Sequence, residues 1–185
     1  NVYVDGSVKM APRGNITELT QNVTKPDVDF IKTSNYRVYI YEDYMTAAIA
    51  DQFKNIPCYF MSDIRTNDGS KVPKDINILW DSSMQYVWLN IMKPIKCMLK
   101  FRTPYGLQSY EEVEKLSHKY PEFDAAKKLG LDLVENYKNN KFYYIKSDHI
   151  LLQPFTGSSS TETRLVSNSY NELQEYSLGE YDDKL

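Results

Sequence analysis

Two charged residues stand where short apolar runs end. Phe60-Met61-Ser62 leads into Asp63, and Met98-Leu99 leads into Lys100. A carboxylate and an ammonium at the ends of neighbouring strands could orient a hydroxyl or help to move its proton. A lysine accepts a proton only in its neutral form, which burial and a second cation promote and carboxylates oppose. The same pair could instead be a structural ion pair fastening a sheet edge, and the two residues alone leave both readings open.

The elements that must position them are legible around them. Between the two runs lies an amphipathic stretch, with Ile76, Leu79, Trp80, Met84, Val87, Trp88 and Ile91 at helical spacing. Apolar run, helix, apolar run predicts a βαβ unit with parallel strands, and ligands of open α/β sheets sit at the carboxyl ends of such strands. The helix is expected from Pro73 to Met92, with its tryptophans in the core. Further strands are predicted at Val2-Tyr3-Val4, over 37–41 and 142–145, and at Arg164-Leu165-Val166-Ser167, with 150–155 a further apolar segment. Helices are predicted from Glu42 to about Asn55, from Tyr110 to Tyr120 and from Phe123 to Tyr137. Residues 9–35 read as a loop with one short helix around Ile16 to Gln21, and Tyr170 to Leu185 as a polar tail.

Composition narrows the classes. The chain has 185 residues, 16 of them Tyr, enough for one domain with a substantial core. A balance of 22 Lys+Arg against 25 Asp+Glu is not that of a generally basic nucleic-acid binder, so any such site must be a local patch. Lys93, Lys96, Lys100 and Arg102 form one candidate cluster, with solvated surface lysines as the simpler account of Lys93 and Lys96. No apolar run reaches membrane-spanning length, and no secretory leader is read. Cys58 and Cys97 are expected as reduced core residues. His118 and His149 lie far apart, and neither a metal-ligand cluster nor a Gly-rich phosphate loop is visible, so no metal is expected.

Four blocks in order carry a family likeness. They are Ser62-Asp63-Ile64-Arg65, Met98 through Tyr105, Leu151-Leu152-Gln153-Pro154-Phe155, and Ser159 through Ser167. Together they resemble the poxvirus cap-specific mRNA 2'-O-methyltransferases that double as poly(A) polymerase stimulatory subunits. The likeness runs from about Val2 to Ser167. It implies an α/β fold, a Rossmann-like S-adenosylmethionine-dependent methyltransferase sheet flanked by helices and entered at its second strand. On that reading residues 1–185 are a partial domain lacking the first strand, the cofactor loop and the first lysine of a Lys-Asp-Lys-Glu catalytic tetrad.

By resemblance, Asp63, Lys100 and Glu162 match the rest of the tetrad. Asp5, Asp63, Ile64 and Arg65 match residues around the cofactor, S-adenosyl-L-methionine. Arg102, Thr103, Pro104, Tyr105, Ser160, Thr161 and Glu162 match stretches that touch capped RNA. Tyr105 falls on the aromatic that stacks on methylated guanine, and Tyr181-Asp182 resembles the pair whose carboxylate reads that base. Ser7 and Leu107 depart from the family, standing where it has a cofactor-contacting arginine and a second base-reading carboxylate. The resemblance implies an enzyme acting on capped mRNA in the cytoplasm, in the factory or virion of a large DNA virus. The alternative it carries is a non-catalytic RNA-binding subunit that stimulates a viral poly(A) polymerase catalytic subunit. Intact Asp63, Lys100 and Glu162 favour the enzyme on sequence grounds.

Overall fold

Parallel strands Tyr59–Ser62 (β4) and Lys96–Phe101 (β5) are joined through the helix Asp75–Met92 (α2), as the alternation of apolar runs implies. The structure, a computed structural model, describes residues 2–5, 16–18, 37–41, 44–66, 73–152 and 163–179. It divides into two units, Asn1–Gln52 and Phe53–Leu185.

In the first unit, Val2–Asp5 (β1), Ile16–Glu18 (β2) and Arg37–Tyr41 (β3) form an antiparallel sheet in the order β1-β3-β2. Val2 lies opposite Ile40, Asp5 opposite Arg37 and Ile16 opposite Tyr41. β1 therefore pairs with β3 in a sheet separate from that of β4, not as the second strand of one continuous sheet. The helix expected around Ile16 is a strand instead: a short isolated helix is costly to nucleate, whereas three residues can pair with the β-rich Arg37-Val38-Tyr39-Ile40-Tyr41 run. The helix predicted from Glu42 is assigned only over Ala47–Gln52 (α1). Its start coincides with Thr46, whose Oγ1 accepts from the Ile49 N–H at 3.2 Å, a capping bond.

The second unit holds a mixed sheet in the order β4-β5-β8-β7, with β7 at His149–Leu152 and β8 at Thr163–Ser167. Only β4 and β5 are parallel; β8 runs antiparallel to both β5 and β7. A second antiparallel pair joins Phe142–Ile145 (β6) to Leu173–Tyr176 (β9), so part of the stretch read as a tail is a strand. The chain is thus mixed α/β.

Burial alternates along β5. Cys97, Leu99 and Phe101 enter the core, while Lys96, Met98 and Lys100 take the other face. Leu99 and Leu165 are wholly buried, each such side chain stabilising by about 1.5–3 kcal/mol. Phe101 meets Phe142, Tyr144 and Tyr176 with ring centroids 6.2, 5.9 and 4.9 Å away, which ties the β6–β9 pair to the sheet. α2 is buried nearly all round, not on one stripe, because further helices cover it. Trp80, half-buried, stacks on Tyr120 at 4.3 Å against the core, and the buried Trp88 meets Phe60 edge-on.

The covering helices are Tyr110–Ser117 (α3), Pro121–Lys128 (α4) and Leu133–Lys138 (α5). The single helix expected from Phe123 to Tyr137 is two. Gly130 at φ 96° is a left-handed break, and Asp132 accepts from the Glu135 N–H at 3.1 Å to start α5 anew. In the apolar segment 150–155, residues 150–152 belong to β7 and the others lie outside the described residues. Cys97 is buried as expected, but Cys58 is half-buried and precedes β4; neither is in a disulfide.

Candidate functional site

β4 ends at Ser62, so Asp63 emerges from the carboxyl end of the parallel pair, next to Lys100 near the end of β5. Lys100 Nζ lies 3.3 Å from Asp63 Oδ1. The antiparallel register sets Arg164 of β8 directly opposite Lys100, and Arg164 Nη2 donates to the same Asp63 oxygen at 2.8 Å. The side chains of Lys100 and Arg164 are each 11% exposed, that of Asp63 68%. Two sheltered cations thus converge on one solvent-facing carboxylate. Asp63 is a counter-charge that the two cations share.

α2 supports this end from the core side. Gln85 Nε2 lies 3.4 Å from the Lys100 carbonyl. Asp81 accepts from the Thr66 N–H at 2.9 Å and from Thr66 Oγ1 at 2.5 Å, which anchors the chain just past Ile64 and Arg65. Burial pushes the Asp81 carboxyl above the usual aspartate range, against the Thr66 hydrogen bonds and the charges of Arg65 and Lys100. Lys96 belongs elsewhere. It pairs with Asp148 at 3.7 Å at the start of β5, about 13 Å of extended chain from Lys100. The four-residue basic cluster is therefore not one site.

Beyond β5 the chain turns through Arg102-Thr103-Pro104-Tyr105-Gly106. The Arg102 guanidinium sits 4.1 Å from the Tyr105 ring centroid, a cation–π stack. Thr103 and Pro104 are buried beneath it, so they shape the turn, and the Pro104 carbonyl accepts from the Gly179 N–H at 2.9 Å. Gly106 takes φ 76°, the left-handed region that reverses the chain. Asp75, only 1% exposed, reaches this turn from the first residue of α2. Its carboxylate accepts from the backbone N–H groups of Tyr105 at 2.6 Å, Leu107 at 2.8 Å and Gln108 at 3.3 Å. The Tyr137 hydroxyl lies 2.7 Å from Asp75 Oδ2 and 2.8 Å from the Gln108 carbonyl. Burial and the Asp75 carboxylate push the Tyr137 phenol up, so it remains a donor.

The structure brings Asp63 and Lys100 together and stacks Arg102 on Tyr105. Ile64 and Arg65 follow β4 and are half-buried. Asp5 ends β1 in the first unit. Ser160, Thr161, Glu162 and the Tyr181-Asp182 pair lie outside the described residues. Arg164 and Asp75 had been given no role. The alternation of Thr163 to Ser167 puts Arg164 on the face away from Leu165, but its register against Lys100 is a tertiary fact. Asp75 carried only the signal of an acidic residue in a helix's first turn. Among the described residues no cluster of His, Cys, Asp and Glu is arranged to hold a metal ion, and no helix is long and apolar enough to cross a membrane.

Residues 20–113, just over half of the chain, match the sequence profile of a family described as "Poly A polymerase regulatory subunit". No curated protein matches the chain. The matched stretch contains Asp63, Lys100, Arg102 and Tyr105 and stops within α3, before Arg164. That description is of a regulatory rather than a catalytic subunit, and it overturns the expectation of a methyltransferase enzyme. The physical reason for the misreading is that a carboxylate beside a lysine at strand ends is equally an ion pair, here shared with Arg164.

Proposed function

Since the chain belongs to the poly A polymerase regulatory subunit family, we propose that it is a non-catalytic RNA-binding subunit that keeps a poly(A) polymerase catalytic subunit on its transcript. The observation that carries the proposal is the match over residues 20–113, which contains Lys100, Arg102 and Tyr105. Lys100 and Arg164 supply sequence-independent attraction for phosphates, and Arg102 carries a further positive charge beside the Tyr105 ring. Tyr105 offers a ring on which a base can stack, a contact every base can make. Ser160, Thr161, Glu162 and Asp182 are proposed as further RNA contacts from the family likeness. A stimulatory subunit needs this kind of tolerant grip, because the sequence passing through it changes as the tail grows.

The resemblance also implies that Asp63, Ile64 and Arg65 take S-adenosylmethionine. The exposed Asp63 carboxylate suits a ribose hydroxyl chemically, but its Oδ1 already accepts from Arg164. No step of the proposed function requires that ligand.

The test is a primer-extension assay with the cognate catalytic subunit, in the presence of excess competitor RNA. Adding this protein should lengthen the tails made in a single binding event. Tail lengths unchanged by its addition would overturn the proposal.

A further inference from the structure

Asp75 does more than begin a helix. A buried carboxylate is costly unless its lone pairs are satisfied, and here every partner in view except Tyr137 is a backbone N–H of one turn, residues 105–108. The tie runs both ways. Gln108 Oε1 accepts from the Ile76 N–H at 2.9 Å, so the turn caps the helix whose first residue holds the turn. Tyr137 closes the arrangement by touching both Asp75 and the Gln108 carbonyl. On the far side, a side chain at Gly106 would come within 3.4 Å of Leu178. The turn is thus gripped between α2, α5 and the segment after β9.

We infer that Asp75 is a positioning residue for RNA: by fixing the backbone on both sides of Gly106, it holds the Tyr105 ring ready for a base. This rests on the reading of Tyr105 as an RNA contact. A ring already held in place binds without the entropic cost of ordering its loop. Asp75 itself is buried and need touch no RNA.

The experiment is a double-mutant cycle on the whole protein, read by fluorescence anisotropy of labelled single-stranded RNA. Asp75→Asn keeps the shape but turns an amide N–H₂ toward backbone donors. It should weaken RNA binding roughly fivefold, as expected when an ordered contact becomes mobile. Once Tyr105→Ala is in place, it should cost nothing further. Amide hydrogen exchange at Tyr105, Leu107 and Gln108 should speed up in the same variant. If Asp75→Asn does not fold, Tyr137→Phe decides. It removes one donor only and should show a smaller loss that likewise vanishes in the Tyr105→Ala background. Unchanged RNA affinity, or a loss that simply adds to that of Tyr105→Ala, would overturn the positioning role while leaving Tyr105 an RNA contact. Unchanged affinity in Tyr105→Ala alone would remove Tyr105 from the RNA site and the positioning role with it.

Discussion

Lys100 and Arg164 face one another across antiparallel strands and share a single oxygen of Asp63. Two cations in adjacent register repel, and the carboxylate between them offsets part of that repulsion. An RNA phosphate is a second way to satisfy the same two cations, and it competes with Asp63 for them.

Asp63→Asn removes the resident counter-charge. Because Asp63 is 68% exposed, the loss of stability should stay below about 1 kcal/mol. RNA binding should tighten, most visibly at low salt. Thermal melts and anisotropy at two salt concentrations check this, and weaker RNA binding would count against competition between Asp63 and phosphate.

Lys100→Ala and Arg164→Ala should each weaken binding to RNAs of unrelated sequence to a similar degree. Each should also reduce the slope of log affinity against log salt by about one. A loss confined to one RNA sequence would assign these residues to base reading instead.

Asp81 provides the pH test. Its folded-state carboxyl is raised by burial. A raised carboxyl stabilises the fold fully below the ordinary aspartate value, and that contribution is lost as pH rises through the folded value. Asp81→Asn keeps an acceptor for Thr66 without a titrating charge. The stability difference between the native protein and Asp81→Asn, followed by denaturant unfolding from acid to neutral pH, should therefore shift in favour of the variant as pH rises. A difference that does not vary with pH would show that burial of Asp81 is not coupled to folding.

Cys97 is buried in β5, and burial pushes its thiol up to about 12. Alkylation at neutral pH should reach it only through unfolding, while the half-buried Cys58 should react first. Mass spectrometry of timed iodoacetamide reactions, with and without denaturant, distinguishes the two sites. Equal rates in the native protein would contradict the packing around β5.

The βαβ unit could be read because its signals are local. Apolar runs of strand length flank a helical period, and their order along the chain places Asp63 beside Lys100 without knowledge of any other element. The turn after β5 was legible for the same reason, since Pro104 and Gly106 mark it and Tyr105 lies between them. Trp88 took its core place, and Trp80 its place against the core, because they fall on the helix's apolar spacing.

What tertiary structure decided were pairings between distant segments. Whether β1 joins β3 or the sheet of β4 depends on which edge it meets, and a four-residue apolar strand fits either. Arg164 becomes a partner of Asp63 only through the register of β8 on β5, where a slip of one residue would turn it toward the core. The role of Asp75 was hidden for a related reason. Its backbone donors lie 30 to 33 residues further on and Tyr137 62, and a buried carboxylate acts according to which donors the fold delivers to it. Residue type and spacing determined the local elements and the first charged pair; the long-range geometry of strands and buried polar groups determined what surrounds that pair.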